Sequence, residues 1–280
     1  MQNILCVDIE DWYHPEYLRS YAKNRVERIT VSFSKTLDLV EESNANATFF
    51  VVGEIAERHP EILDQIFDNQ HEIAFHGYHH HPLWTLDADA LRKEIEKYDS
   101  LVRSNTGEKC IGFRAPSYSM ESRTSWALDV LEEQRYVYDS SIFPLRTPLY
   151  GVRGAPITPY HPSSKNITQQ DERRKLIEFP ALVYPILGLR VPAGGGFYLR
   201  LLPVYLIDKA IRKMNKNGFP AVLSFHPWEL DDCTPRMKLA PSKSFVTYYN
   251  LKATKRKLRS LVSRFRFTSF RNWIEDHGFA

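Results

Sequence analysis

A handful of acids, histidines and one arginine set out the chemistry this chain could perform. His76 and His80 lie four residues apart in HGYHH, with His79 and His81 as neighbours. Two imidazoles and a carboxylate make a three-ligand metal site with a position open for water, the pattern of catalytic zinc. The segment VDIEDW offers Asp8, Glu10 and Asp11 as carboxylates. Asp8 and Glu10 share one face if the strand continues, and Asp11 follows at its end. Such acids can divide the work, one holding metal and another staying free as a base. One or two of them can instead cap the next segment. Arg114, in FRAPS, stands beside a proline-stiffened turn and suits either orienting a carboxylate or a structural ion pair. His226, in LSFHPWE, can protonate a leaving group or serve as a satisfied core histidine.

What must position these groups is legible from their places. Asp8, His76, Arg114, Asp139 and His226 each fall where a short apolar run gives out: ILCVDIED, EIAFHGYHH, IGFRAPSYS, YVYDSSIFP and AVLSFHPWE. Helix-like segments separate most of these runs. The alternation predicts an α/β fold with a mostly parallel sheet or barrel. In such barrels the C-terminal strand ends converge on one face, and that face carries the chemistry. Residues 54–69, 85–102 and 203–217 have helical spacing, Thr85 reading as one N-cap and Gly218 as one stop. Residues 176–182 read as strand. Residues 142–171 have little periodicity and are too long for an ordinary connection, so a functional loop is expected. Gly194, Gly195 and Gly196 lack the lysine of a phosphate loop and read as a tight or mobile turn. Phe265–Thr268 reads as a last strand, with Ser269 capping a final helix.

The 280 residues suit a single domain with an ample core, and no linker or repeat divides them. Cys6, Cys110 and Cys233 are odd in number and form no CxxC pair, so a reducing compartment is expected. The start has no basic, apolar leader pattern, and no run approaches the length of a bilayer span. These features predict a cytoplasmic protein. The net charge of +3 is uneven: residues 233–274 hold 11 basic residues and no acid. That basic C-terminal segment, helical at about 250–275, is either a solvated face or a site for anionic lipid or a diphosphate-carrying substrate. No nucleic-acid partner is expected.

Together these residues resemble the polysaccharide deacetylases, the NodB-homology carbohydrate esterases, over Ile4 to about Trp273. ATFFVVG at 47–53 resembles the strand after the family's first motif. His76 and His80 match its H-[ST]-x-x-H pair with Gly77 in place of Ser/Thr. RAPS at 114–117 matches R-x-P-[YF] with Ser117 in place of the aromatic; DSS at 139–141 and LSFHP at 223–227 resemble the later motifs. VDIED departs most from the family's T-F-D-D, and DIEDWYH resembles a subgroup found with exosortase-type exopolysaccharide loci.

The resemblance implies a distorted (β/α) barrel of about seven parallel strands and metal-dependent removal of N-acetyl groups from an amino sugar, in a polysaccharide or its lipid-linked precursor. It implies that His76, His80 and one first-motif acid hold Zn²⁺ or another divalent ion. Asp11 is favoured as that acid, with Glu10 its rival. Asp8 would be the general base, oriented by Arg114. The Ser117 backbone N–H would help hold the oxyanion. His226 would protonate the departing amine, with Asp139 raising its pKa, and Tyr118 and Trp228 would wall the acetyl pocket. Two other readings keep the barrel: an amidohydrolase of a small non-sugar amide, and a non-catalytic glycan-binding module.

Overall fold

The computed structural model describes residues 1–278. Ten strands are present among them: β1 Gln2–Ile9, β2 Thr48–Val51, β3 Glu72–Phe75, β4 Gly112–Phe113, β5 Tyr138–Asp139, β6 Ile177–Glu178, β7 Val183–Ile186, β8 Leu189–Pro192, β9 Val222–Phe225 and β10 Arg266–Thr268. Eight of them form one sheet. Strand β1 pairs with β9 and with β2, and the sheet continues through β3, β4 and β5 to β6, every pairing parallel. The result is an α/β half-barrel. The eighth strand, β10, extends only the start of β1, at Gln2–Ile4.

Period-two alternation sorts the strand residues between two cores. Leu5, Val7 and Ile9 of β1 join Phe49, Val51, Phe75, Phe113, Leu223 and Phe225 in the layer beneath the outer helices. Ile4, Cys6, Phe50, Ala74, Tyr138 and Val222 face the barrel interior, where Phe270 and Trp273 of the Phe270–His277 helix plug the base. Continuing the interior parity past the apolar base gives Asp8 on β1 and Glu10 just after it, His76 after β3, Arg114 after β4 and His226 after β9. The inner face is apolar at the bottom and ionisable at the top because the same alternation runs through both.

The helices start and stop for local reasons. The Ala88–Thr106 helix is capped by Asp87, whose side chain accepts from the Ala90 N–H at 2.8 Å, and ends at Gly107 with φ 74°. Thr85, the expected cap, lies instead in a 3₁₀ turn, Leu83–Thr85. The Ser269 hydroxyl caps the last helix by accepting from Asn272. The Ile29–Glu42 helix adds to the expected elements; its apolar face is Ile29, Phe33, Leu37 and Val40.

Strand β6 is shorter than expected, and an antiparallel hairpin, β7–β8, follows it. The three glycines after the hairpin are not a free turn. Gly195, at φ 149°, bridges to Ser224 of β9, and a Cβ built on it would lie 1.8 Å from the Ser224 carbonyl oxygen. The glycine run is needed for this close backbone approach.

Candidate metal and catalytic site

The carboxylate of Glu10 and the imidazoles of His76 and His80 converge at the top of the barrel, with one donor atom from each lying within 4.8 Å of the others. All three side chains are buried. His80 Nε2 is 2.6 Å from Glu10 Oε2. Each histidine is held by its other nitrogen: His76 Nδ1 donates to the Arg114 carbonyl at 2.8 Å and His80 Nδ1 to the His14 carbonyl at 3.1 Å. A carbonyl can only accept, so each Nδ1 carries a proton and Nε2 is the atom turned to the cluster; anchoring the far ring nitrogen in this way is how metal-binding histidines are oriented. Burial pushes His76 down to about 4, which keeps it in the neutral, ligating form. Burial opposes ionisation of Glu10, but the His80 and His226 imidazoles outweigh it and hold the carboxyl well below its ordinary range. This donor set fits a divalent metal of the zinc type.

Asp11 is not part of that cluster. Its side chain falls on the other parity of the strand end and is turned into the chain, where it accepts from the Trp12 N–H at 2.7 Å and the Arg28 N–H at 2.6 Å. It works as a capping acid, and burial raises it to about 6 despite those donors. Glu10, and not the favoured Asp11, is the first-motif acid that lies with His76 and His80.

Asp8 lies beside the triad. Arg114, itself buried, donates to Asp8 Oδ1 at 2.7 Å and to the Ser140 carbonyl and hydroxyl at 2.9 Å, and its guanidinium sits 4.3 Å from the Phe50 ring centroid. The arginine is clamped from three sides and aims its charge at one carboxylate oxygen. On the opposite side, His226 Nε2 is 3.8 Å from Asp8 and 3.6 Å from Glu10. Trp228 stacks on the His226 ring at 5.5 Å and donates its indole N–H to Glu10 at 3.2 Å.

The expected partner of His226, Asp139, does not reach it. Asp139 is in register with Phe113 on the helix-facing side of the sheet, not on the barrel interior. Glu229 takes that place. Its Oε2 accepts from both the backbone N–H and Nδ1 of His226 at 3.0 Å, and its Oε1 accepts from Arg200 at 2.8 Å. Burial works against a charge on His226, but Glu10, Glu229 and Asp8 together raise it to about 9. Glu229 and Arg200 were missed in the sequence. The signal was present: His-x-x-Glu across HPWE is the spacing of a capping box.

Asp139 pairs instead with its cross-strand neighbour Glu178. Burial raises both, Asp139 to about 7 and Glu178 well above the carboxylate range. Ser141 donates to Asp139, and Glu178 accepts from the Ile142 N–H at 2.9 Å. Because the folded pair keeps a proton that the unfolded chain has released by about pH 5, its contribution is fullest at low pH and is lost as pH rises toward about 7. Glu178→Gln is expected to raise Tm over wild type at pH 8, by about 2–4 °C per kcal/mol, and to give no gain at pH 4.5. Thermal melts of both proteins across that range check it; a gain that did not grow with pH would contradict the shared proton.

Two turns complete the site. Gly77 has φ 72°, and a Cβ there would lie 2.9 Å from Pro116 Cγ, so glycine suits this tight turn. Gly77→Ser is expected to cost about 1–3 kcal/mol of stability, read as a lower urea midpoint. Ser117 and Tyr118 follow Pro116 with φ of 58° and 48°. Among the described residues the Ser117 N–H has no backbone acceptor. Arg19 secures the histidine loop by donating to the His79 and His80 carbonyls at 2.6 Å, and His14 is itself fixed by Glu54 at 2.8 Å.

The site opens into a cavity of about 370 Å³. Its walls include Ser117, Tyr118 and Trp228, as well as Tyr17, Trp84, Phe143, Tyr150, Phe197 and Tyr198. Phe143 and Tyr150 come from the long aperiodic stretch after β5, which serves as a wall of the cavity. The three cysteines are free thiols, and among the described residues no helix is long and apolar enough to cross a membrane.

The parallel half-barrel thus carries a buried His₂–Glu cluster, an arginine-braced aspartate and a glutamate-paired histidine at its C-terminal face. Residues 28–136 match the family described as polysaccharide deacetylase, and residues 140–275 match a domain of unknown function, DUF3473. Residues 28–136 thus resemble a polysaccharide deacetylase domain. It is 33% identical over 97 residues to the peptidoglycan-N-acetylglucosamine deacetylase of Bacillus cereus, covering 34% of this chain and 35% of that protein. It is 35% identical over 95 residues to the peptidoglycan deacetylase-like protein FGM2 of Gibberella zeae, covering 34% of this chain and 27% of that protein. The chain thus spans about a third of the length of these relatives. The fold is shared with a crystal structure from Mycobacterium smegmatis assigned to the polysaccharide deacetylases, at TM-score 0.62 and 20% identity, covering 99% of this chain and 91% of that one.

Proposed function

We propose that this chain is a metal-dependent hydrolase that removes N-acetyl groups from an amino sugar. The observation that carries the reading is the convergence of Glu10, His76 and His80 with Asp8 and His226 at the floor of an aromatic-walled cavity. Glu10, His76 and His80 would hold the metal, which when bound supplies a Lewis acid that polarises the acetamide carbonyl and activates water. Asp8, aimed by Arg114, takes the proton from the attacking water. The Ser117 N–H donates to the developing oxyanion. His226, oriented by Glu229, delivers a proton to the departing sugar nitrogen. Asp139 has no direct part in this scheme.

Aromatic walls suit a sugar, whose apolar ring faces pack on aromatic side chains while its hydroxyls find polar partners. A cavity of this size takes a ligand of one or two rings rather than a long polymer, so we infer that the substrate is a short or terminal unit of an exopolysaccharide precursor, free or lipid-linked. Free cysteines support action in the cytoplasm. Because the sheet runs through β5 from the deacetylase match (β4) into the DUF3473 match (β6), we treat the chain as one domain.

The test is mass spectrometry of N-acetylglucosamine oligomers incubated with the protein, alongside acetate measurement. Acetate and singly deacetylated product are expected in equal amounts. Product from small aryl acetamides with none from sugars would move the assignment to a non-sugar amide. Oligosaccharide binding without turnover would favour a glycan-binding module.

A further inference from the structure

The β7–β8 hairpin carries a feature the reaction does not use. At its tip Leu187 is 96% exposed, Leu189 69% and Ile186 40%. Leu187 and Gly188 are the two turn residues, with φ of 48° and 76°. Two-residue turns with both φ positive favour Asn-Gly, and leucine is disfavoured there by its side chain. Neither the turn geometry nor the core therefore calls for a leucine at this place. The hairpin is firmly held: Arg190 donates to the Pro144 and Ala155 carbonyls, and Lys213 to the Pro185 carbonyl.

The helix packed against it, Val204–Lys216, buries Ile207, Ala210, Ile211 and Met214 and turns Lys209, Lys213 and Lys216 outward along one stripe. Its single acid, Asp208, is engaged by Arg212 and Arg264. No acidic residue occurs between Glu178 and Asp208 in the sequence. Tyr205, 57% exposed, lies under Lys209, and Tyr184 under Lys213.

We infer that the Ile186–Leu189 tip and the lysine stripe beside it form a docking element for an anionic lipid bilayer, the aliphatic side chains entering the acyl boundary and the lysines meeting the headgroups. An apolar tip with a basic rim and amphipathic tyrosines is the combination that interfacial binding needs, since insertion and charge each add to a weak total. Three aliphatic side chains are far too little surface for a stable protein interface, which takes roughly 800 Å² on each partner. The basic C-terminal segment is a lesser contributor. The Lys257 ammonium is buried on the carbonyls of Leu199, Arg200 and Leu202, and Arg259 is paired with Glu42.

The experiment is co-sedimentation with vesicles of phosphatidylcholine alone and of phosphatidylcholine with phosphatidylglycerol. It reads lipid binding whether or not the chain deacetylates sugars, so the two ideas fail separately. Wild type should bind the anionic vesicles and release in high salt. Leu187→Asn/Leu189→Ser should lower binding by roughly tenfold or more, and Lys209→Gln/Lys216→Gln several-fold. An asparagine placed before Gly188 suits the turn, so the tip variant should keep its Tm, which separates lost binding from lost folding. Equal binding to both vesicle types, undiminished binding by the leucine variant, or no binding at all would overturn the inference. So would a concentration-dependent dimer, dissolved by the same leucine changes, in protein that ignores lipid.

Discussion

Glu10→Gln is expected to strip the protein of tightly held metal and to lower acetate release by roughly 10³-fold or more, whereas Asp11→Asn keeps both within about tenfold. The first figure follows from losing a Lewis acid that supplies several kcal/mol, at about 1.4 kcal/mol per tenfold in rate. The two acids are adjacent in sequence, yet their surroundings differ completely. Glu10 faces His80 at 2.6 Å, while both Asp11 oxygens are occupied by backbone N–H donors. Asp11→Asn should instead show itself as a stability loss of about 1 kcal/mol from a weakened cap. Metal analysis and acetate assays on both variants check this. Metal lost in the Asp11 variant and kept in the Glu10 variant would reverse the assignment.

The second large effect concerns His226 and Glu229. His226→Gln should slow deacetylation by about 10²–10⁴-fold, the usual worth of a positioned general acid, and Glu229→Gln by roughly 10²-fold. A merely structural role would slow every substrate alike. A general acid matters for a poor leaving group such as an amine and little for a phenolate. Both variants should therefore retain most of their activity on an aryl acetate ester while losing it on N-acetyl sugars. Equal losses on ester and amide would refute the proton-donor role. Glu229 also balances the buried Arg200, so the glutamine variant should melt at a lower temperature; the ester-to-amide ratio, read below that melt, is insensitive to the folded fraction.

Much of this arrangement can be read from residue order, and the two misplaced acids show where reading stops. Asp8, His76, Arg114 and His226 follow apolar runs of a parallel sheet, and such strands end on one face. Which side of the sheet each residue takes depends on parity and register. Asp139 pairs in register with Phe113, which points to the helices, and no single motif shows that. Asp11 is one step past Glu10, and one step inverts the face. The shared face of Asp8 and Glu10 is legible from alternation, but that it is the interior face, with Ile4 and Cys6, follows only from the fold.

Other gaps have different causes. The β7–β8 hairpin contains Pro185 and Pro192 and turns on Leu-Gly, so neither strand propensity nor turn signal marked it. The glycine run looked like a loop because the strand it crosses, β9, is distant in sequence, meeting it at Ser224. Non-local contacts of this kind leave no local periodicity. The aperiodic stretch after β5 was expected to be functional by its length alone, and its Phe143 and Tyr150 line the cavity.

The central claim, that Glu10, His76 and His80 hold a catalytic metal, is tested most directly by elemental analysis of the purified protein and of His80→Ala, each assayed for acetate release from N-acetylglucosamine oligomers. Wild type should hold about one equivalent of a divalent metal and release measurable acetate, and the variant should lose both together. A wild type that releases acetate after exhaustive chelation, or a His80→Ala protein that keeps both metal and activity, would contradict it.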